Sequence, residues 1–282
     1  MDFIRPRILS FSTIKRIVHT MKLKAGTDFI YQVIEPTPVT TLLRPHRQAG
    51  QFIQEDCLQI TPATQINDYI DGFGNRCQRM LLQPGEVRIH TEVVATVEDH
   101  VAENWTAPYI LVENLPYEVM PYLLASRYCQ SDTPEIGRLA AAIAKDIWVG
   151  YEQVAAFRNW IHNNIQYEYG VTFSSTTALD IFHNRAGVCR DFAHLGISLC
   201  RSMNIPARMV VGYLKELKIM DLHAWFEAYI GNKWYAFDAV QEKTTGGRII
   251  IGYGRDAVDV AAITQFGNAY LQMINVWVEE VG

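Results

Sequence analysis

The residues best equipped for chemistry in this chain are its five cysteines, Cys57, Cys77, Cys129, Cys189 and Cys200, which form no Cys-x-x-Cys pair. That spacing suggests neither a disulfide framework nor a thiolate zinc site, and an odd count leaves at least one thiol free. Cys189 has the most informative surroundings. A short helical pattern over 176–187 stops at Gly187, which suits a helix C-terminal cap, and Val188-Cys189 then opens an apolar-periodic segment running to Met203. Cys189 is therefore expected at a helix N-terminus, where unpaired backbone N–H groups and the helix dipole favour a negative sulfur. Arg190 adds a positive charge beside it.

A cysteine nucleophile needs a base, usually histidine, and a third group to orient that base. His194 follows Cys189 by five residues, which on one helix turns the two side chains about 140° apart. His183 lies on the helix that ends before the cysteine. The better placed histidine is His223, in the first of two strand-like runs, 221–230 and 233–240, joined by the hairpin dipeptide Gly231-Asn232. Setting Ile230 opposite Lys233 pairs Trp225 with Asp238, which makes His223 and Asp238 diagonal neighbours on one sheet face. Such neighbours have Cα atoms about 7–8 Å apart, close enough for a carboxylate–imidazole hydrogen bond. The roles then follow: Cys189 attacks, His223 accepts and returns the proton, and Asp238 orients the imidazole. Spacing alone leaves a second reading of Cys189 equally open, that of a buried apolar residue, as expected for Cys200 on the same helical face.

These residues need a fold that brings a helix start to a hairpin. From Thr27 to about Val112 short β-rich runs are broken by turn residues, including Asp71-Gly72-Phe73-Gly74-Asn75, and a small β-sandwich-like unit is expected. Residues 113–135 carry Pro116, Pro121 and Pro134, and helical spacing begins beyond them, so a boundary is placed near 130. The expected division is 1–20, a basic extension, 21–130, a β-rich region, and 131–282, a helix-and-sheet core. Met21 is an alternative start to Met1.

The first 24 residues hold six basic groups against Asp2 alone, a net +5, so the remainder carries −10 of the overall −5. With a pI near 5.9, nothing draws the whole chain towards nucleic acid. No run of 18 apolar residues occurs, and a secretory signal is interrupted by Lys15 and Arg16, so no membrane span and a cytoplasmic location are expected. Gly252-Tyr253-Gly254 lacks the lysine and the strand–loop–helix context of a phosphate loop. Asp256 and Asp259 suit turn and capping roles better than a metal pair, and no cofactor is expected.

Four separated blocks in order, Gly187-Val188-Cys189-Arg190-Asp191-Phe192-Ala193-His194-Leu195, Arg208-Met209-Val210-Val211-Gly212-Tyr213, His223-Ala224-Trp225-Phe226-Glu227 and Trp234-Tyr235-Ala236-Phe237-Asp238, resemble the core of the transglutaminase-like superfamily. The region 27–112 looks like the β-rich segment that bacterial members carry before it. The resemblance implies an α+β, papain-like core in which the helix bearing Cys189 packs on an antiparallel sheet bearing His223 and Asp238, preceded by a small all-β sandwich-like unit. It places the family's catalytic cysteine, histidine and aspartate on Cys189, His223 and Asp238 without substitution. An upstream aromatic, Tyr167 or Trp160, would join the Cys189 N–H as oxyanion donor, and an aromatic cleft around Trp225 would bind substrate.

The function expected is a thiol enzyme of peptide or protein substrates, forming a thioester and releasing it to water, as a cysteine protease or amidase. Release to an amine, as in a transglutaminase, uses the same triad. A non-catalytic module binding peptide or cell-wall-like ligands, and a metal-dependent hydrolase using His183, His194 or His223, are the rivals from other classes.

Overall fold

The computed structural model describes residues 19–47 and 50–282; most of the basic extension expected over 1–20, with Met1 in it, lies outside the described residues. The amino-terminal strands are β1 (Thr20–Val33), β2 (Thr37–Thr41), β3 (Phe52–Thr61), β4 (Asn67–Ile70), β5 (Arg76–Leu82) and β6 (Gly85–Glu98). β1 and β6 pair antiparallel along their full lengths, from Thr20 opposite Glu98 to Val33 opposite Gly85. Alternate residues of these strands, Phe29, Tyr31, Val33, Val87 and Ile89, turn to one side and meet Val39, Met80 and Leu82 of the facing sheet and Leu43, just past β2. Burying both inner faces against each other makes the sandwich.

Two short 3₁₀ turns occupy the proline-rich stretch 112–123. The helices and strands that follow are α1 (Pro134–Ile143), α2 (Tyr151–Asn164), β7 (Gln166–Tyr167), α3 (Ala178–Asn184), β8 (Ala186–Gly187), α4 (Cys189–Ser202), β9 (Ala207–Leu214), β10 (His223–Ile230), β11 (Lys233–Phe237) and β12 (Arg248–Gly254). Four of these strands form a mixed-order antiparallel sheet, β11-β10-β9-β12. α4 is buried over nearly its whole length and lies on the face of that sheet that carries Phe226 and Ala228. Their approach is close: a Cβ added at Gly196 would stand 2.4 Å from the Phe226 ring, so only glycine admits the helix there.

The last strands, β13 (Ile263–Gln265) and β14 (Ala269–Glu280), return to the amino-terminal half. The sheet orders are β14-β1-β6-β3 and β13-β2-β5-β4, so each sandwich sheet ends on a strand from the far end of the chain. A contiguous boundary near residue 130 does not anticipate this return. The two halves also share one core, in which Leu23, Ala25, Val93 and Ala95 of the sandwich lie with Phe192, Leu195 and Phe226 of the α+β half.

Candidate active site

Cys189 is the first residue of α4, after Val188 in extended conformation (φ −109°, ψ 179°). The turn beneath it is held by Asp191, whose Oδ2 accepts from the Val188 N–H at 3.0 Å and from Thr172 Oγ1 at 2.8 Å. Arg190 Nε donates to Asp191 Oδ1 at 3.0 Å, so the two charged residues after Cys189 orient its turn. The left-handed residue that closes α3 is Arg185 (φ 59°), not Gly187, which lies in β8. There Gly187 pairs with Tyr167 across the parallel bridge of β7 and β8. This bridge brings Tyr167 to the helix start, its phenol oxygen against the Cys189 backbone N–H. Burial, then the nearby sulfur, raise the phenol pKa, so Tyr167 keeps its proton. Trp160 stands elsewhere, under the Arg185 guanidinium at 4.9 Å.

The hairpin takes the register its turn dictates: Gly231 and Asn232 both have positive φ (55° and 63°), and the pairing runs from Ile230 opposite Lys233 to Phe226 opposite Phe237. His223 opens β10 and Asp238 follows the last residue of β11. Both are buried, and His223 Nε2 lies 2.7 Å from Asp238 Oδ2. With Nε2 so engaged, Nδ1 is the ring nitrogen left for the hydrogen bond that links His223 to the Cys189 sulfur. Cys189, His223 and Asp238, expected together from the sequence, are brought together in that order.

The electrostatics of the trio are set by contact. Burial by itself would depress the His223 imidazole, but the charge and hydrogen bond of Asp238, with Cys189, outweigh it and lift its pKa to about 9. Asp238 is pushed up by burial, yet His223, Arg248 and the Val240 N–H hold it below the usual carboxylate range. The pair therefore stands as imidazolium and carboxylate at neutral pH.

Arg248 is the residue sequence reasoning missed. Its Nη2 donates to Asp238 Oδ2 at 2.9 Å, the oxygen that also holds His223, while its Nε donates to the Thr245 carbonyl at 2.7 Å. Nothing in its spacing signals this, because it stands on β12, separated from β10 by β9. Asp238 is fixed further at its backbone, where its carbonyl accepts from Arg158 Nε at 2.8 Å.

Trp225 requires a correction. It is 1% exposed, on the sheet face away from α4, where it packs with Val210 and Tyr253 and lies under the Arg248 guanidinium at 4.5 Å. Its ring stacks on that of His223 at 6.1 Å between centroids, and it lines a separate cavity of about 250 Å³ with Glu227, Trp234 and Arg248, not the one beside Cys189. The cavity beside Cys189, about 410 Å³, is walled by Leu42, Met209, Val211, Leu222, Ile251 and Val260, with Ser174 and Arg190 at its edge.

The remaining candidates hold other places. His183 is exposed and hydrogen-bonded to Glu135 at 2.6 Å. His194 is buried, stacks on Tyr128 and accepts the Ala257 N–H at 3.2 Å. Asp256 caps the Tyr128 and Val258 N–H groups, and Asp259 pairs with Arg255. Among the described residues no group of three or more metal-ligating side chains occurs, and no helix is long and apolar enough to cross a membrane.

Comparison with known proteins adds to this geometry. A family model described as the transglutaminase-like superfamily matches residues 138–239, a span that includes Cys189, His223 and Asp238. A solved structure described as "a Putative Cysteine Protease from Cytophaga hutchinsonii" is similar at 35% identity and a TM-score of 0.86, over 94% of this chain and 92% of that one. An uncharacterized protein of Mycobacterium leprae is 28% identical over 265 residues, 86% of this chain and 91% of its own length. One of Mycobacterium tuberculosis is 29% identical over 138 residues, 43% and 44% of the two chains.

Proposed function

The chain belongs to the transglutaminase-like superfamily, and from that premise we propose that it is a thiol hydrolase of peptide or carboxamide bonds, with Cys189 as nucleophile, His223 as proton carrier and Asp238 as the group that orients it. One observation carries the reading: the His223 ring is held between the Asp238 carboxylate and the Cys189 sulfur, at a helix start that opens on a cavity.

The proposed reaction starts with the proton on His223 and the Cys189 sulfur attacking as a thiolate. The sulfur attacks the substrate carbonyl, and the C=O electron pair moves to oxygen. That oxyanion takes the Cys189 N–H now facing the Tyr167 phenol, and the Tyr167 hydroxyl turns to donate to it as well. Collapse breaks the C–N bond as His223 Nδ1 gives its proton to the departing amine, which leaves a thioester and a neutral imidazole. His223 then draws a proton from water, the hydroxide attacks the thioester, and the acid leaves as the sulfur and imidazolium are restored. Asp238 stays ionised throughout and stabilises each imidazolium, with Arg248 holding the carboxylate in place. The chemistry asks for no metal or organic cofactor.

The test is alkylation with iodoacetamide followed by mass spectrometry, and trapping with a mixed peptide library with and without an added amine. Cys189 is expected to react ahead of Cys57, Cys77, Cys129 and Cys200 and to carry a thioester. Alkylation no faster than at the other four overturns the proposal. Release of the acyl group only to the added amine assigns the transferase reaction instead, and biological activity untouched by Cys189→Ala assigns a binding module.

A further inference from the structure

The cavity beside Cys189 has walls that do not need chemistry to explain them. Leu42, Met209, Val211, Leu222, Ile251 and Val260 surround about 410 Å³. The polar groups on its rim are already committed: Arg190 to Asp191, Thr172 and the Phe173 carbonyl, and the Tyr128 hydroxyl to the Ser174 carbonyl at 2.6 Å. Past Cys189 and His223, the walls offer no free charge to meet an ionic guest. A charged side chain entering would shed its hydration without a partner, whereas an apolar one would lose only water contact. Leu42 comes from the sandwich half, and its backbone N–H donates to the Ala262 carbonyl at 2.9 Å, which ties that wall to the segment forming the opposite one.

We infer that this cavity is a side-chain subsite, and that the substrate is a polypeptide bearing a bulky aliphatic or aromatic residue within the last two positions of the segment that becomes the acyl group. The inference rests on the thiol chemistry proposed above and names the substrate class of that same site. A hydrophobic pocket discriminates by about 10–200-fold per methylene, so the preference is large enough to read.

The experiment measures alkylation rates of the full chain by peptidyl acyloxymethyl ketones, in which the sulfur displaces a carboxylate to form a thioether, with leucine, methionine, phenylalanine, glycine, glutamate or lysine at each of the last two positions. Iodoacetamide is run in parallel, because it reports the Cys189 sulfur without engaging the pocket. The expected result is a rate at least about 10-fold higher for the apolar residues than for glycine, glutamate or lysine at one of the two positions. Ala261→Phe, which fills the cavity, brings the leucine-to-glycine ratio towards one while Cys189 remains the residue that iodoacetamide alkylates. Leu42→Ala, which enlarges it, raises phenylalanine over leucine. A flat series with Cys189 still selectively alkylated overturns the subsite and leaves the nucleophile standing; a ratio unmoved by either variant overturns it too. Loss of Cys189 selectivity towards every reagent overturns the thiol reading, and the subsite with it.

Discussion

Two buried clusters in this protein use the same three residue types to opposite ends. His223 lies with Asp238, which also holds Arg248, and His194 with Asp256 and Arg201. His223 touches its carboxylate at 2.7 Å, and its pKa rises to about 9. His194 accepts a backbone N–H instead, while Asp256 spends its oxygens on the N–H groups of Tyr128 and Val258. Burial therefore prevails at His194 and depresses its pKa to about 4, although Asp256 pulls the other way. A carboxylate nearby is not enough; one in direct contact, through its charge first and its hydrogen bond second, keeps an imidazole charged in a dry interior.

The comparison breaks most decisively in turnover. His223→Gln or Cys189→Ala is expected to lower peptide cleavage by ~10³-fold or more, whereas His194→Gln, which touches no reacting atom, lowers the melting temperature and leaves turnover within about threefold. Peptide assays beside thermal melts check both. Equal losses of turnover from the two histidine variants would erase the distinction.

Smaller effects are expected around the trio. Tyr167→Phe removes the hydroxyl proposed for the oxyanion and is expected to cost ~10–10²-fold in kcat with little change in KM. Arg248→Met leaves Asp238 with one cationic partner fewer, and a loss of ~10-fold in kcat is expected, accompanied by a shift in the pH profile that a packing defect alone would not cause.

The smallest effect is on stability, and its sign differs between the clusters. His223 has a folded pKa raised from 6.5 to about 9, so its contribution is fully present below pH 6.5 and is lost as pH rises through 9. His194 has a folded pKa lowered from 6.5 to about 4, so its contribution is present above pH 6.5 and is lost as pH falls towards 4. The melting-temperature difference between wild type and His223→Gln should shrink by several degrees on the alkaline side, and that for His194→Gln on the acid side. Imidazole proton titrations by NMR check the two midpoints directly, and a His223 midpoint near 6.5 would deny the ion pair.

Much of the site was legible because its geometry is local. The Gly231-Asn232 turn sets the hairpin register, observed from Ile230 opposite Lys233 to Phe226 opposite Phe237, and just past the end of that ladder His223 and Asp238 meet at 2.7 Å. Cys189 was placed at a helix start by a change of periodicity between Gly187 and Met203. Trp225 shows where such reasoning stops. Alternation along β10 says that Trp225 and Phe226 face opposite ways, but not which face α4 covers; the structure gives that face to Phe226.

Local patterns in the chain, then, determined the strands, the helix that starts at Cys189, and the pairing of His223 with Asp238, since each is settled by neighbours within a few residues or across one tight turn. Tertiary structure decided what distant segments share: the return of β14 to pair with β1, the Leu42 wall of the cavity, and the Arg248 guanidinium on Asp238. Those contacts depend on which hydrophobic faces meet when the whole chain collapses. Periodicity records that a residue has a buried side, and only packing selects what lies against it.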